Sequence, residues 1–211
     1  GYGRRVNGIA CLAENMPGSG AYRPGDVFKT YSGKTVEVFS TDAEGRNVLA
    51  DGLCKAGEFD PEFIVDLATL TGAVVVALGN QITGMWGNDS SLVKRVESAA
   101  SLSGEPVWEM PLNDQFKRYM TDSAFADIRN GSIGGRAGSS NGAAAFLEFF
   151  VPSREEDGGS SKIPWVHLDI AGTAWGPGSK ARTERENPFF QFGTSGVHVR
   201  TLHRLITSES H

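Results

Sequence analysis

Two carboxylates and an arginine lie close together in the run Thr41-Asp42-Ala43-Glu44-Gly45-Arg46, which follows a short apolar segment. Carboxylate oxygens suit Zn²⁺, Mn²⁺ and Mg²⁺, and an arginine at a helix N-terminus can hold an anion. The run has a second interpretation, because Ser/Thr-x-x-Glu before an apolar-periodic stretch is a capping box, with Asp42 and Arg46 as an i,i+4 pair. Spacing alone does not decide between a metal site and a helix cap.

A second motif, Gly138-Ser139-Ser140-Asn141-Gly142, matches the Gly-x-Ser-x-Gly pattern of serine hydrolases and precedes a helical stretch. Asp169 and His198 follow it in the order that such enzymes use. The pattern requires an apolar strand directly before the serine, whereas residues 131–138 are rich in glycine. This stretch also lacks the Gly-Lys-Ser/Thr ending of a phosphate-binding Walker loop. A serine hydrolase that uses Ser140 is therefore the weaker hypothesis.

Composition and the remaining residues exclude several classes of protein. Cys11 and Cys54 form no Cys-x-x-Cys pair, and the four histidines lack the spacing of a zinc site. The net charge of −5, without a basic cluster, argues against a nucleic-acid-binding protein. The most apolar stretch, 63–79, is interrupted by Asp66 and is too short to span a membrane. We predict a cytoplasmic protein that binds neither nucleic acid nor membrane.

Strand-like apolar runs alternate with helical patterns along the 211 residues. This alternation predicts an α/β fold, with a largely parallel mixed sheet and helices on both faces. The polar, Gly/Ser-rich segment 153–164 is expected to be a mobile surface loop. The predicted strands are 36–39, 63–67, 83–86 and 165–170, and the predicted helices are 44–56, 72–78, 91–102, 141–150 and 197–206.

The segment 40–46 resembles the Asn-Thr-Asp-Ala-Glu-Gly-Arg signature of the leucyl (cytosol) aminopeptidase family. Ser40 replaces the asparagine of the signature, and Asn47 stands where the family has leucine. Further segments resemble the family in the family's order: 13–17 (AENMP), 23–27 (RPGDV), 68–73 (ATLTGA), 125–128 (FADI), 165–173 (WVHLDIAGT) and 193–196 (GTSG). By this resemblance the whole of 1–211 is identified as the carboxy-terminal part of the family's catalytic domain, an incomplete portion of a larger domain.

The resemblance implies a metal-dependent enzyme that releases N-terminal residues, Leu-like and broad in range, from peptides. Asp42 would ligate one metal ion through its side chain and its backbone carbonyl, and Glu44 would bridge two ions. Arg46 would hold the bicarbonate that acts as base on the attacking water. Two divalent ions are expected, Mn²⁺ or Zn²⁺, with Mg²⁺ and Co²⁺ as further options because oxygen ligands accept all of them.

The same resemblance implies a substrate site made of backbone groups and small side chains: Thr69, Leu70, Gly72, Ala171 and Ala174. Leu70 would offer its carbonyl and Gly72 its N–H to the peptide. Ala171 and Ala174 would leave room for a leucine or methionine side chain at the N-terminus of the substrate. The acidic residues of the two predicted strands, Asp66 and Asp169, are expected to be structural.

Three of the family's five metal ligands, and its catalytic lysine, lie in a segment that residues 1–41 do not resemble. We therefore expect the N-terminal domain and the first metal-ligand segment to be absent, so that this chain carries only part of the site. The alternatives are a non-catalytic scaffold or binding subunit, and a fragment that complements a separate N-terminal half. Since the family assembles as hexamers, a homo-oligomer is expected.

Overall fold

The structure, a computed structural model, describes residues 5–131, 135, 137–156, 159–175 and 193–207. The chain forms two compact units. The first combines Asp66–Met110 and Val166–His211 with residues 1–5, and the second combines Val6–Val65 with Pro111–Trp165. Both contain sheets flanked by helices, so the predicted α/β class is confirmed.

The described residues form six α-helices, one 3-10 helix and nine strands. They are β1 (Val27–Lys29), β2 (Thr35–Glu37), a 3-10 helix (Thr41–Ala43), α1 (Glu44–Gly57), β3 (Ile64–Ala68), α2 (Gly72–Leu78), β4 (Thr83–Gly87), α3 (Ser90–Ser103), β5 (Val107–Glu109), α4 (Asp114–Thr121), β6 (Ile128–Arg129), α5 (Ser139–Glu148), β7 (Ser153–Glu156), β8 (Gly159–Lys162), β9 (Trp165–Asp169) and α6 (Val199–Thr207). Among the described residues, no helix has the length and apolar character that crossing a membrane requires.

The first unit is built on a four-stranded sheet in the order β3-β9-β4-β5. Strand β4 runs parallel to β5 and antiparallel to β9, so the sheet is mixed. Strand β9 is buried along its whole length, which explains why Trp165, Val166 and Leu168 do not alternate with exposed polar residues. Helix α3 packs against β4, β5 and α6.

Helix α3 shows why the local sequence folds as it does. The side chain of Asp89 caps its first turn by accepting a hydrogen bond from the Leu92 N–H at 2.7 Å. Gly104 ends it in the left-handed conformation, at φ 66°, where glycine carries no steric penalty. Its buried residues recur at helical spacing and form one apolar stripe: Leu92, Val93, Val96, Ala99 and Ala100.

The second unit contains a small sheet in the order β1-β2-β6, in which β2 pairs antiparallel with β1 and parallel with β6. Helix α5 forms the core of this unit, because nine residues of the helix are buried, from Ser140 to Glu148. The three alanines of this helix let α1 and α4 approach closely, and both pack against it. Lys117 of α4 lies 2.8 Å from the buried carboxylate of Glu148.

The predicted helices and long strands are confirmed to within three residues at each end. The prediction of a loop over 153–164 is wrong, since β7 and β8 pair there as an antiparallel hairpin. The hairpin was missed because its described side chains are polar and largely exposed, so no apolar alternation marks it. Residues 157–158 of this segment, and 132–134 and 136 of the glycine-rich stretch, lie outside the described residues.

Candidate functional site

The run 41–46 lies in the second unit, where the chain leaves β2 and enters α1. Ser40 is extended at φ −134°, and Thr41 already belongs to the 3-10 helix. Neither Ser40 nor Ala43, the residues at the two N-cap positions, forms a side-chain capping bond. The capping-box interpretation is therefore wrong: the side chains of Thr41 and Glu44 do not cap α1.

Both carboxylates of the run reach solvent. Glu44 is half-buried, and its Oε1 accepts a hydrogen bond from Asn15 Nδ2 at 2.9 Å. Within the described part of the chain, no hydrogen bond or ion pair engages the exposed Asp42 carboxylate. The positive end of the α1 dipole favours negative charge at this place. An exposed carboxylate and a half-buried one, two residues apart, offer oxygen donors of the kind that suits a hard divalent cation.

Arg46 stands on the first turn of α1, directly after these carboxylates, and is half-buried. Its Nη1 donates to the backbone carbonyl of Asn130 at 2.8 Å. Asn130 is fully buried, and its side chain is hydrogen-bonded to the backbone of Phe39 and Ser40. Sequence reasoning missed Asn130 because it lies 84 residues from Arg46 and belongs to no chemical motif.

The second group of predicted residues lies in the first unit, around the turn from β3 into α2. Asp169, which is 1% exposed at the end of β9, organises this turn. Its Oδ1 accepts from the N–H groups of Leu70 at 3.0 Å and Ala171 at 3.2 Å, and its Oδ2 accepts from Thr71 Oγ1 at 2.7 Å. Thr71 Oγ1 in turn accepts from the Val74 N–H and caps α2. Asp169 thus joins two predicted substrate residues, Leu70 and Ala171.

Thr69 and Gly72 are exposed beside this turn, and a Cβ added at Gly72 would meet nothing within 4 Å. Ala174 closes a second turn, in which its N–H donates to the Ile170 carbonyl at 2.8 Å. Gly172, between the two alanines, has no space for a side chain, because an added Cβ would lie 2.2 Å from the Gly79 carbonyl oxygen. The two alanines are therefore held on a closely packed turn with their small side chains half-buried.

A chain of buried polar groups adjoins this turn in the first unit. Nε2 of His198 lies 2.8 Å from Thr83 Oγ1, which lies 2.8 Å from Thr173 Oγ1. Nδ1 of His198 lies 3.2 Å from Thr201 Oγ1, which donates to the Glu105 carboxylate. Burial lowers the pKa of His198 to about 4, although the negative charge of Glu105 acts in the opposite direction. His198 is therefore neutral at pH 7.

These contacts remove the basis of the serine hydrolase hypothesis. In the described residues, Asp169 is bonded to Leu70, Thr71 and Ala171, whereas the nitrogens of His198 face two threonines. The Asp–His couple that such an enzyme needs is not formed. Ser140 itself is buried within α5, only 6% exposed.

Asp66, the other acidic strand residue, is paired inside the first unit. Its Oδ1 lies 2.6 Å from Nδ1 of His167, and the imidazole ring lies 5.7 Å from the ring of Trp86. His167 is fully buried and Asp66 is 8% exposed. The pair is a buried contact inside this unit, and the structural role of Asp66 stays a prediction. Among the described residues, no group of three or more His, Cys, Asp and Glu side chains could hold a metal ion.

Comparison with known proteins gives one consistent result. Residues 2–203 match the family model described as cytosol aminopeptidase family, catalytic domain. The chain is 48% identical over 200 residues to a probable cytosol aminopeptidase from Solibacter usitatus, covering 95% of this chain and 38% of that protein. It is 44% identical over 199 residues to a probable cytosol aminopeptidase from Geotalea uraniireducens, covering 94% and 36%.

Among solved structures, a mutant of tomato leucine aminopeptidase superposes with a TM-score of 0.78 at 36% sequence identity. The match covers 92% of this chain and 34% of the tomato protein. The chain therefore spans little more than a third of the length of the relatives that it matches.

Proposed function

Because the chain belongs to the cytosol aminopeptidase family, we propose that it serves a metal-dependent aminopeptidase that releases Leu-like N-terminal residues from peptides. The observation that carries the proposal is the state of the run 41–46. Asp42 is exposed and Glu44 is half-buried, and neither side chain caps helix α1. A capping box would bind the Glu44 carboxylate to the helix backbone, whereas a ligand role requires this carboxylate to be accessible.

The proposed metal ligands are the carboxylate and backbone carbonyl of Asp42 and the carboxylate of Glu44. Their oxygen chemistry fits two divalent ions, Mn²⁺ or Zn²⁺ first and Mg²⁺ or Co²⁺ as alternatives. When bound, such ions supply an activated water and polarise the scissile carbonyl. Glu44 suits the bridging role because Asn15 engages only one of its two carboxylate oxygens in the described structure.

Arg46 is proposed to hold bicarbonate, which would accept the proton of the attacking water. A guanidinium group presents a planar fork of N–H donors that matches a planar bidentate anion. The bond from Nη1 to the Asn130 carbonyl fixes one side of the fork, so its orientation is set before an anion arrives. The N-terminal end of α1 adds positive potential for the same anion.

The proposed substrate contacts are the backbone groups at Thr69, Leu70 and Gly72. The Leu70 carbonyl would accept a hydrogen bond from the peptide, and the Gly72 N–H would donate one. Leu70 is suited to this because its N–H is bound to the buried Asp169 carboxylate, which holds the residue in place at the start of the turn. The half-buried methyl groups of Ala171 and Ala174 would admit a branched aliphatic side chain.

Two carboxylates and one carbonyl do not complete a two-metal site. We propose that the remaining ligands and a catalytic lysine come from polypeptide corresponding to the part of the relatives that this chain does not match. The assembled protein is proposed to be a cytoplasmic homo-oligomer, a hexamer as in the family. A non-catalytic scaffold is the second candidate, favoured by the lack of a three-ligand cluster among the described residues.

The test is hydrolysis of a leucine arylamide in the presence of Mn²⁺, by the chain alone and by the chain mixed with the preceding part of a matched relative. We expect activity in the mixture that a chelator abolishes. Glu44→Gln should abolish it too, whereas Glu97→Gln on the exposed face of α3 should not. Arg46→Ala should lower kcat and remove its dependence on bicarbonate. An inactive wild-type mixture would favour the scaffold.

A further inference from the structure

Asn130 follows β6 directly, and its side chain is fully buried in the second unit. Its Oδ1 accepts hydrogen bonds from the N–H groups of Phe39 at 2.9 Å and Ser40 at 3.0 Å. Its Nδ2 donates to the Ser40 carbonyl at 2.9 Å. Every one of these bonds goes to the backbone segment that leads into the run 41–46.

The backbone of Asn130 makes two further bonds to the same region. Its N–H donates to the Glu37 carbonyl at 3.0 Å, where the pairing of β2 with β6 ends. Its carbonyl accepts from Arg46 Nη1 at 2.8 Å. One buried residue therefore contacts the chain both before and after Asp42 and Glu44.

We propose that Asn130 is a positioning residue, which fixes the entry to the run 41–46 and the guanidinium of Arg46 in one rigid frame. The inference rests on the proposed function, in which this run supplies metal ligands and the anion-binding arginine. Sites of this kind depend on outer contacts that hold the ligating groups in place. Without the Asn130 amide, the N–H groups of Phe39 and Ser40 would lose their protein acceptor, and the segment would be free to move.

Asparagine is the side chain that fits these contacts. The two N–H groups identify which amide atom is the oxygen, and the Ser40 carbonyl requires a donor on the other side. Aspartate would accept the two N–H bonds but would place an oxygen against the Ser40 carbonyl. Alanine would make none of the three contacts. Aspartate would therefore lose one of the three side-chain hydrogen bonds, and alanine would lose all three.

The residues that flank Asn130 prevent it from shifting to compensate. A Cβ at Gly131 would lie 2.6 Å from the Phe39 ring, so the backbone after Asn130 is already in close contact with that ring. On the other side, the Arg129 guanidinium lies 5.3 Å from the centre of the same ring and 3.4 Å from the Glu37 carboxylate. The residues before and after Asn130 are thus both packed against the Phe39 ring.

The first test uses amide hydrogen exchange at Phe39 and Ser40 and the guanidinium ¹⁵N resonance of Arg46, identified with Arg46→Lys, in the 211-residue chain. Asn130→Ala should accelerate exchange at both amides by roughly tenfold or more, and should shift the Arg46 resonance. Asn130→Asp should keep most of the protection and give an intermediate shift. Val151→Ala is the control, because it removes buried methyl groups beyond the end of α5 and none of these bonds.

The second test measures kinetics in the mixture with the preceding part of a relative. Asn130→Ala should lower kcat by about 10–100-fold with little change in KM, and should raise the bicarbonate concentration needed for half-maximal rate. If Asn130→Ala lowers thermal stability as Val151→Ala does, but leaves the Arg46 resonance unchanged, the proposal is overturned. If the wild-type mixture is inactive, the proposed function fails, and the Arg46 resonance still decides whether Asn130 positions this arginine.

Discussion

Replacing Asp169 by alanine should destabilise the first unit by about 3–5 kcal/mol. Its carboxylate is 1% exposed and accepts hydrogen bonds from Leu70, Thr71 and Ala171. A hydrogen bond to a charged group contributes about 1.5–3 kcal/mol net, so three of them give an upper range of about 5–9 kcal/mol. The removal of a buried charge returns part of this, because the carboxylate no longer has to be desolvated on folding.

Asp169→Asn should cost less, about 1–2 kcal/mol. The amide oxygen can still accept from the N–H groups of Leu70 and Ala171, because one Oδ1 atom already serves both. The new NH₂ group would face Thr71 Oγ1, and a hydroxyl can rotate to accept a hydrogen bond instead of donating it. The asparagine therefore loses the charge but keeps the arrangement of the turn.

Urea and thermal unfolding of both variants measure these differences. At about 2–4 °C per kcal/mol for a chain of this size, we expect Tm to fall by about 6–20 °C for Asp169→Ala and by about 2–8 °C for Asp169→Asn. Asp114→Ala, at a carboxylate that is 85% exposed, is the matched control and should change stability by less than about 1 kcal/mol. Equal losses of stability for Asp169→Ala and Asp169→Asn, or losses no larger than that of Asp114→Ala, would contradict the role of the Asp169 carboxylate in ordering this turn.

Two further predictions concern the first unit and helix α1. Stability should fall by about 3 kcal/mol as the pH drops from 6.5 to about 4, because unfolded His198 binds a proton in this window and the buried, low-pKa folded form does not. His198→Asn, which tolerates φ 63°, should remove that part of the pH dependence in urea unfolding; an unchanged slope would contradict the assignment. Gly172→Ala should destabilise by about 3 kcal/mol, because its Cβ collides with the Gly79 carbonyl, whereas Gly45→Ala in open space should be neutral or stabilising in the same denaturation assay.

Helices were predictable where one face is apolar and where a cap residue marks the end. Helix α3 has both signals, the Asp89 cap and the Gly104 terminus, and its limits were predicted within one residue. Strands β1, β5 and β6 were not predicted, because two or three residues cannot display a period of two; β2 is as short, but apolar residues continue past it to Phe39. Helix α4 was also missed, because its eight residues are mostly polar and only Met120 is buried.

The residues of the candidate site were likewise only partly predictable from the sequence. The residues of the run 41–46 were found from the sequence, but the local pattern suggested a cap that the structure does not form. Nothing in that pattern reveals that Thr41 already lies inside a 3-10 helix. Asn130 and Asp169 act through contacts to residues 84 to 99 positions away, and one sequence without its fold holds no signal for such pairs.

The most direct test of the proposed metal site is the metal content of the chain assembled with the preceding part of a relative, measured by elemental analysis after dialysis against Mn²⁺ or Zn²⁺. We expect bound metal in the wild type and in Glu97→Gln, and a loss of at least one equivalent in Asp42→Asn and Glu44→Gln. Full metal occupancy in both of the latter variants would contradict the claim that this run holds the metal ions.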